Sequence, residues 1–214
     1  MTLPQTTTNT ICITGGTGSF GSAFARYLIA NTTHKVRILA RNEHKIEDLQ
    51  RELPPSARTT YIMCDVRDVA ALRQAFDGAW AVVHAAALKV VPMGERHADE
   101  FVKTNCIGSQ NVIAAALSAS VRRCLLISSD KAVQAINLYG ASKRVAESLF
   151  IQANVLGVSR GCAFSVVRGG NVWGSAGSVA TVWRQMAQAG ETIEVNDPGV
   201  TRFHLLMKDW TAFV

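Results

Sequence analysis

Residues 10–21 read Thr-Ile-Cys-Ile-Thr-Gly-Gly-Thr-Gly-Ser-Phe-Gly, a β-type run that leads into a glycine turn. The run 10–14 predicts a strand, and residues 22–30 after the turn predict a helix. The pattern G-x-x-G-x-x-G between strand and helix is typical of a turn that holds a pyrophosphate at a helix N-terminus; a flexible loop without a ligand is the alternative. We expect a dinucleotide to contact Thr14, Gly15, Thr17, Gly18, Ser19, Phe20 and Gly21.

Strands and helices alternate through most of the chain. Further strands are predicted at 35–40, 59–63, 80–84, 124–127 and 163–167, and further helices at 43–52, 67–76, 97–119, 138–156 and 179–189. This alternation predicts an α/β fold, a Rossmann-like doubly wound parallel sheet. We expect residues 1–168 to form an NAD(P)-binding Rossmann domain. Residues 169–214, with a short strand at 192–195, would form a truncated C-terminal substrate-binding part within the same compact unit.

Composition excludes several classes of protein. The chain has 214 residues, 48% hydrophobic, and its net charge of +6 is dispersed rather than clustered with aromatics, so we expect no nucleic-acid partner. No stretch approaches the ~20 apolar residues of a membrane span, and Met1 to Thr10 lacks the features of a signal peptide. The five cysteines lack metal-ligand spacing. They predict buried free thiols, no metal site and a cytoplasmic location.

Basic residues follow the second predicted strand. An NAD site would place Asp or Glu near its end, but the chain has Arg41, with Lys45 one turn later. A guanidinium suits a 2′-phosphate, so the sequence favours NADP over NAD; a solvated helix start is the alternative.

Two later strand ends should complete the cofactor site. Asp65, followed by Val66, is placed to reach the adenine amine, and Ala85, Ala86 and Ala87 would let the backbone lie against the cofactor. His84 is interpreted as a packed strand-end residue rather than a base.

Tyr139 and Lys143 have i,i+4 spacing and share one face of a predicted helix. An ammonium beside a phenol favours the phenolate, so Lys143 should lower the pKa of Tyr139. Such a phenolate can take a proton from an alcohol while a nicotinamide takes the hydride. Tyr-x-x-x-Lys is a weak motif alone, but Ser129, Asp130 and Lys131 precede it at a strand end. The Asp-Lys pair could also be a surface ion pair.

These motifs together resemble those of the extended short-chain dehydrogenases/reductases. More narrowly, the chain is similar to the inverting UDP-N-acetylglucosamine 4,6-dehydratases and their polysaccharide-biosynthesis relatives. The residues that carry the resemblance are Ile13 to Gly21, His84 to Lys89, Ser129 to Val133, Ile136 to Lys143, Gly170 to Val172 and Thr201 to Phe203.

The resemblance implies a lyase of nucleotide-sugar and surface-polysaccharide biosynthesis. Tyr139 would remove the C4 hydroxyl proton as NADP+ accepts the C4 hydride, and Ser129 would bind the C4 oxygen. Lys131, if neutral, would abstract the C5 proton, and Asp130, if protonated, would protonate the departing C6 hydroxyl. The resemblance also implies a homodimer or higher oligomer formed through the helices at 97–119 and 138–156. The UDP-sugar substrate would contact Lys89, Asn171 and Arg202.

Gly169 and Ala176 depart from the family, which usually has tyrosine and arginine there. Two alternatives to the dehydratase stay open. One is a UDP-sugar 4-epimerase or reductase, and the other is a dinucleotide-binding sensor or scaffold without turnover.

Overall fold

A six-stranded parallel sheet forms the centre of the computed structural model, which describes residues 9–195 and 197–214. Residues 1–8, which include most of the segment predicted to lack a signal peptide, lie outside the described residues. The order of the strands is β3-β2-β1-β4-β5-β6, that of a dinucleotide-binding Rossmann sheet. The prediction of a doubly wound parallel sheet is therefore confirmed. The strands are β1 (Thr10–Thr14), β2 (Lys35–Ala40), β3 (Thr59–Met63), β4 (Ala81–His84), β5 (Arg123–Ser129) and β6 (Ala163–Gly169).

Helices cover both faces of this sheet. The helices are α1 (Ser19–Asn31), α2 (Glu43–Glu52), α3 (Val69–Phe76), α4 (Val91–Arg96), α5 (Ala98–Phe101), α6 (Gly108–Ser118), α7 (Leu138–Val158), α8 (Val179–Gln188) and α9 (Met207–Phe213). Side chains of α1 and α2 form one apolar core with the sheet, and those of α3, α6 and α7 form another. Strands β1, β2 and β3 are added in one direction along the sheet and β4, β5 and β6 in the other, so a crevice opens between β1 and β4 at the carboxyl ends of the strands. In the part of the chain that is described, no helix has the length and apolarity needed to cross a membrane.

The helix predicted over 97–119 is interrupted. After α5, residues Val102–Ile107 form a π-helical turn before α6 begins. The wide turn buries two consecutive polar residues, Thr104 at 5% and Asn105 at 2% exposure. The prediction of a single uninterrupted α-helix was therefore wrong. A π-helical turn holds one residue more than an α-helical turn, and the apolar spacing in the flanking segments does not reveal it. Such turns are frequent at functional sites.

The C-terminal part differs from the prediction in its short strands. Residues 192–195 form no strand and have no partner, so the strand predicted there is wrong. The parallel pair is instead β7 (Asn171–Val172) with β8 (His204–Leu205). Two-residue strands carry too little pattern to be read from sequence.

Helix α9 packs on α1 and fills the space above Gly169. The Trp210 ring lies 6.0 Å from the ring of Phe20, between centroids. A Cβ added at Gly169 would lie 2.8 Å from Cζ2 of Trp210. The indole therefore occupies the space that a side chain at position 169 would need, which gives a structural reason for the glycine.

Candidate active site

The glycine turn is shaped by close backbone contacts. Gly15 has φ +65, and a Cβ there would lie 2.7 Å from the Cα of Ala86. The N–H of Gly18 donates to the carbonyl of Gly15 at 2.9 Å and closes the turn. Helix α1 begins after Gly18 without a side-chain cap. The amides of its first turn are therefore available to an anion, which the helix dipole favours.

A cleft of about 220 Å³ runs from this turn along the carboxyl edge of the sheet. It brings together most of the predicted cofactor residues, from four separate segments of the chain. Those that line it are Gly15, Thr17, Gly18, Arg41, Lys45, Asp65, Val66, Ala85, Ala86 and Ala87. The sequence interpretation missed Ala40, Asn42, Cys64, Leu88 and Thr104, which line the same cleft.

The other predicted residues of the glycine segment position the turn. Thr14 Oγ1 hydrogen-bonds Nδ1 of His84 at 2.7 Å, and Ser19 Oγ accepts from the N–H of Ala176 at 3.0 Å. The Phe20 ring stacks on Phe24, with centroids 5.5 Å apart, and so points into an aromatic cluster. Gly21 lies where a Cβ would meet the backbone of the turn. These four residues therefore support the turn, and their contact with a cofactor stays a prediction.

His84 is a packed strand-end residue, as interpreted from sequence. Its side chain is buried at 1% exposure, and Nε2 lies 3.1 Å from Ser109 Oγ. Burial, with the charge of Lys143, lowers the pKa of His84 to about 3. The imidazole is therefore neutral at physiological pH.

Three charged residues meet at the far end of the cleft. Arg67 donates to both carboxylate oxygens of Asp65, and Arg41 Nη1 lies 3.7 Å from Asp65 Oδ2. Burial raises the pKa of Asp65, but the hydrogen bonds from Arg67 and the two positive charges outweigh it, so the pKa falls below its usual value. An ionised Asp65 thus tethers Arg41 at the cleft, where Lys45 also lies.

Thr104 offers an unused hydroxyl to the cleft. Its Oγ1 is the one buried side-chain polar atom among the described residues that lacks a hydrogen-bond partner. A buried hydroxyl without a partner costs free energy, which a ligand contact would recover. The glycine cradle, the uncapped start of α1 and this hydroxyl fit a dinucleotide. Nothing in the sequence distinguishes Thr104 from an ordinary helix residue.

Asn105 holds the loop after β4 against α7. Its Oδ1 accepts from the N–H of Leu88 at 2.8 Å, and its Nδ2 donates to the Leu88 carbonyl at 2.9 Å. Nδ2 also donates to Ser142 Oγ at 2.9 Å. One buried amide therefore links the cofactor loop to the helix that carries Tyr139.

The predicted acid–base residues lie at the end of β5, where Ser129 is the last residue of the strand and Asp130 and Lys131 follow it. Ser129 Oγ donates to Asp130 Oδ1 at 2.9 Å, and Lys131 Nζ donates to the same oxygen at 3.0 Å. Burial raises the pKa of Asp130, but the hydrogen bonds from Lys131 and Ser129 and the lysine charge outweigh it, and the pKa is lowered. The pair is thus an ion pair here, whereas the resemblance implied a neutral lysine and a protonated aspartate.

Tyr139 and Lys143 lie on one face of α7, but they are not coupled as predicted. Lys143 Nζ donates to the carbonyl of Ile127 at 2.8 Å. Burial lowers the pKa of Lys143 to about 8. Burial also raises the pKa of Tyr139; the charge of Asp130 adds to this, and the Ser129 side chain offsets it in part. The expected lowering of the pKa of Tyr139 by Lys143 is therefore wrong for this structure, because the ammonium faces a backbone carbonyl.

Two of the three predicted substrate residues lie beside this group. Asn171 Oδ1 accepts from Lys131 Nζ at 2.8 Å. Lys89 Nζ donates to the carbonyl of Ala176 at 2.8 Å, and burial, with the charge of Lys131, lowers its pKa. Arg202 is exposed, and its Nη1 donates to the neighbouring Thr201 carbonyl at 2.8 Å. The structure thus places Asn171 and Lys89 near Lys131, but not Arg202.

Comparisons with known proteins identify the family of this chain. Residues 11–214 match the family described as "Polysaccharide biosynthesis protein". The UDP-N-acetylglucosamine 4,6-dehydratase (inverting) of Campylobacter jejuni is 39% identical over 95% of this chain and 61% of its own length. The UDP-glucose 4-epimerase of Rickettsia rickettsii is 37% identical over 94% of the chain and 60% of its own length.

The fold and the family are consistent with each other. The X-ray structure of Pen from Bacillus thuringiensis superposes with a TM-score of 0.91 at 32% identity, covering 95% of this chain and 63% of that chain. The chain thus spans about three fifths of the length of the curated relatives it matches. Since the family match extends over nearly all of its length, this chain belongs to the polysaccharide biosynthesis protein family, within the extended short-chain dehydrogenases/reductases.

Proposed function

We propose that this chain carries the catalytic core of an NADP-dependent UDP-N-acetylglucosamine 4,6-dehydratase that inverts C5, a cytoplasmic lyase of surface-polysaccharide biosynthesis. The observation that carries the proposal is the Asp130–Lys131 pair. It lies at the carboxyl end of β5, directly before the helix that bears Tyr139. Residues 1–168 would hold the cofactor, and residues 169–214 would begin the substrate side.

Each step of a dehydration has a matching group. Bound NADP+ would supply the hydride acceptor. Tyr139 would take the proton of the C4 hydroxyl, with Ser129 beside the resulting oxygen. The C4 ketone then acidifies the C5 proton, which Lys131 would remove as a neutral amine.

The ion pair itself can supply both active forms. Transfer of one proton from Lys131 Nζ to Asp130 Oδ1, along their 3.0 Å hydrogen bond, yields an amine and a carboxylic acid together. Their side chains are 38% and 31% exposed, so a substrate that covers them would remove water from both. Loss of solvation penalises the charged pair relative to the neutral one. Asp130 would then protonate the departing C6 hydroxyl, which leaves as water. Return of the hydride to C6 and addition of a proton to C5 would complete the reaction with no net change in the cofactor.

Mass spectrometry tests this reaction class directly. The protein is incubated with UDP-N-acetylglucosamine and NADP+, and we expect a product that has lost one molecule of water. An epimerase would return a product of unchanged mass. Retained NADP+ binding without any product would favour the sensor or scaffold.

A 4-epimerase is the second candidate, because relatives that carry this name match nearly as well as the dehydratase. Epimerisation at C4 needs a tyrosine base and a hydride acceptor but no acid–base pair for C5 and C6. Turnover that survives replacement of both Asp130 and Lys131 would favour it.

Arg41→Ala is expected to weaken NADP+ binding by about 10- to 100-fold and to leave NAD+ binding nearly unchanged. The reason is that Arg41 lies at the cleft where a 2′-phosphate would be held. Calorimetric titration of both cofactors measures the effect. Arg51→Ala is the matched control, since Arg51 lies on α2 and pairs with Asp48 at 3.1 Å. Equal weakening of NAD+ and NADP+ binding would contradict the assignment.

Light scattering at micromolar concentration is expected to give at least a dimer mass. We propose pairing through the helical segments that include α6 and α7. Ile151, Val155 and Val158 share one face of α7 and are 59%, 76% and 75% exposed. An apolar stripe of this kind is typical of a protein interface. Ile151→Glu should yield monomers, and a monomeric mass for the unaltered chain would refute the proposal.

A further inference from the structure

We propose that Glu147 is a positioning residue that keeps Lys143 protonated and fixes helix α7 against the ends of β5 and β6. The inference rests on the proposed function only in taking the residues at the end of β5 and the start of α7 as the acid–base site. Glu147 lies one helical turn after Lys143 and is buried at 1% exposure. A carboxylate in that position needs partners, and the structure supplies them from three elements.

Two hydrogen bonds set the register of α7 on β5. Lys143 Nζ donates to the Ile127 carbonyl at 2.8 Å, and Ser128 Oγ donates to Glu147 Oε1 at 2.7 Å. Successive turns of the helix thus hold consecutive residues of the strand. The next residue of that strand is Ser129, where the acid–base group begins.

A second partner of Glu147 comes from the neighbouring strand. Arg168 pairs with Ser128 in the register of β5 and β6, and it donates to Glu147 from Nε at 2.8 Å and from Nη2 at 2.6 Å. Two-point guanidinium–carboxylate contacts are among the most directional in proteins. Glu147 therefore joins α7, β5 and β6 just below the residues that they present to the site.

Among the groups around Lys143, Glu147 is the one that supplies a negative charge. Tyr139 shares the helix face, Cys106 faces the lysine from the π-helical turn, and His84 faces it from β4. Burial keeps the thiol and the imidazole neutral, because it raises the pKa of Cys106 and lowers that of His84. Arg168 and Arg144 form ion pairs with Glu147. Burial raises the pKa of Glu147, but the hydrogen bonds from Arg168 and Ser128 and the two arginine charges outweigh it, so the pKa is lowered.

The pKa of Lys143 therefore depends on two opposing effects, burial and the charge of Glu147. Burial moves the pKa of Lys143 down to about 8, and the Glu147 charge acts in the opposite direction. Removing that charge should make the amine neutral near physiological pH.

The test follows the 13Cε shift of Lys143 against pH in protein labelled with 13C-lysine, with Lys143→Arg to assign the signal. Glu147→Gln keeps the shape and should lower the pKa of Lys143 by roughly one unit. Arg144→Gln is the matched control, because Arg144 is exposed and lies 3.6 Å from Glu147; its replacement should not lower the pKa. An unchanged pKa in folded Glu147→Gln would overturn the proposal.

A second variant decides the case if Glu147→Gln does not fold. Arg168→Met keeps the carboxylate but removes its strongest partner, so the pKa of Lys143 should rise. A pKa that falls or stays fixed in Arg168→Met would refute the electrostatic role. These readouts need no turnover. A chain that makes no dehydrated product but shows both shifts would disprove the proposed function and leave the role of Glu147 intact.

Discussion

Lys131→Met should reduce formation of the dehydrated product by roughly 10²- to 10⁴-fold, the usual contribution of a positioned acid or base. Methionine keeps much of the side-chain length but cannot take the C5 proton. Lys131 is not among the residues that line the cofactor cleft, so the dissociation constant of NADP+ should stay within about twofold. Initial rates of product formation and a cofactor titration on the same preparation measure the two effects.

The controls separate chemistry from a surface ion pair. Lys208→Met removes an exposed lysine on α9 and should leave the rate unchanged. Asp130→Asn should also lose turnover, because an amide cannot protonate the departing hydroxyl. If Lys131→Met keeps its rate, the Asp130–Lys131 pair is structural and the dehydratase account fails.

Gly15→Ala should abolish cofactor binding and lower the free energy of unfolding by more than about 3 kcal/mol. Gly15 has φ +65, and a Cβ there would lie 2.7 Å from both the Cα and the N of Ala86. The glycine turn and the loop after β4 would have to separate, which opens the cleft that they share. Urea unfolding and NADP+ titration give the two measurements.

Gly78 provides a closely matched control. It also has φ +65, but a Cβ there would meet nothing within 4 Å. Gly78→Ala should therefore cost only the left-handed strain, about 1 kcal/mol, and leave cofactor binding intact. Similar losses for the two variants would mean that backbone strain, rather than contact with the Ala86 loop, explains the glycine.

The sequence predicted the sheet and the cleft because both depend on local patterns. Apolar runs and the glycine turn located β1 to β6 to within two residues at either end, and parallel strands bring their carboxyl ends to one edge. Arg41, Asp65 and Ala86 could thus be assigned to one cleft from their place after a strand alone. Asn171, by contrast, was assigned to the substrate only through the family resemblance, and the structure shows its Oδ1 accepting from Lys131 Nζ.

What the sequence did not predict depends on contacts between distant segments. The unused hydroxyl of Thr104 follows from a π-helical turn, and Gly169 is explained by the indole of Trp210, supplied by α9. The buried Glu147 had one visible signal, since it continues the i,i+4 series of Tyr139 and Lys143 onto the core face of α7. The i,i+4 spacing of Tyr139 and Lys143 also does not reveal that Lys143 donates to the Ile127 carbonyl rather than to the phenol of Tyr139.

The most direct test of the proposed dehydration is proton NMR of the reaction with UDP-N-acetylglucosamine and NADP+ in heavy water. A base at C5 exchanges that proton with solvent, and loss of the C6 hydroxyl followed by return of the hydride to C6 would give a methyl group. The account predicts a new C6 methyl signal with deuterium at C5 and inverted configuration there. Confirmed NADP+ binding without a methyl signal, or a methyl signal that retains the original proton at C5, would contradict it.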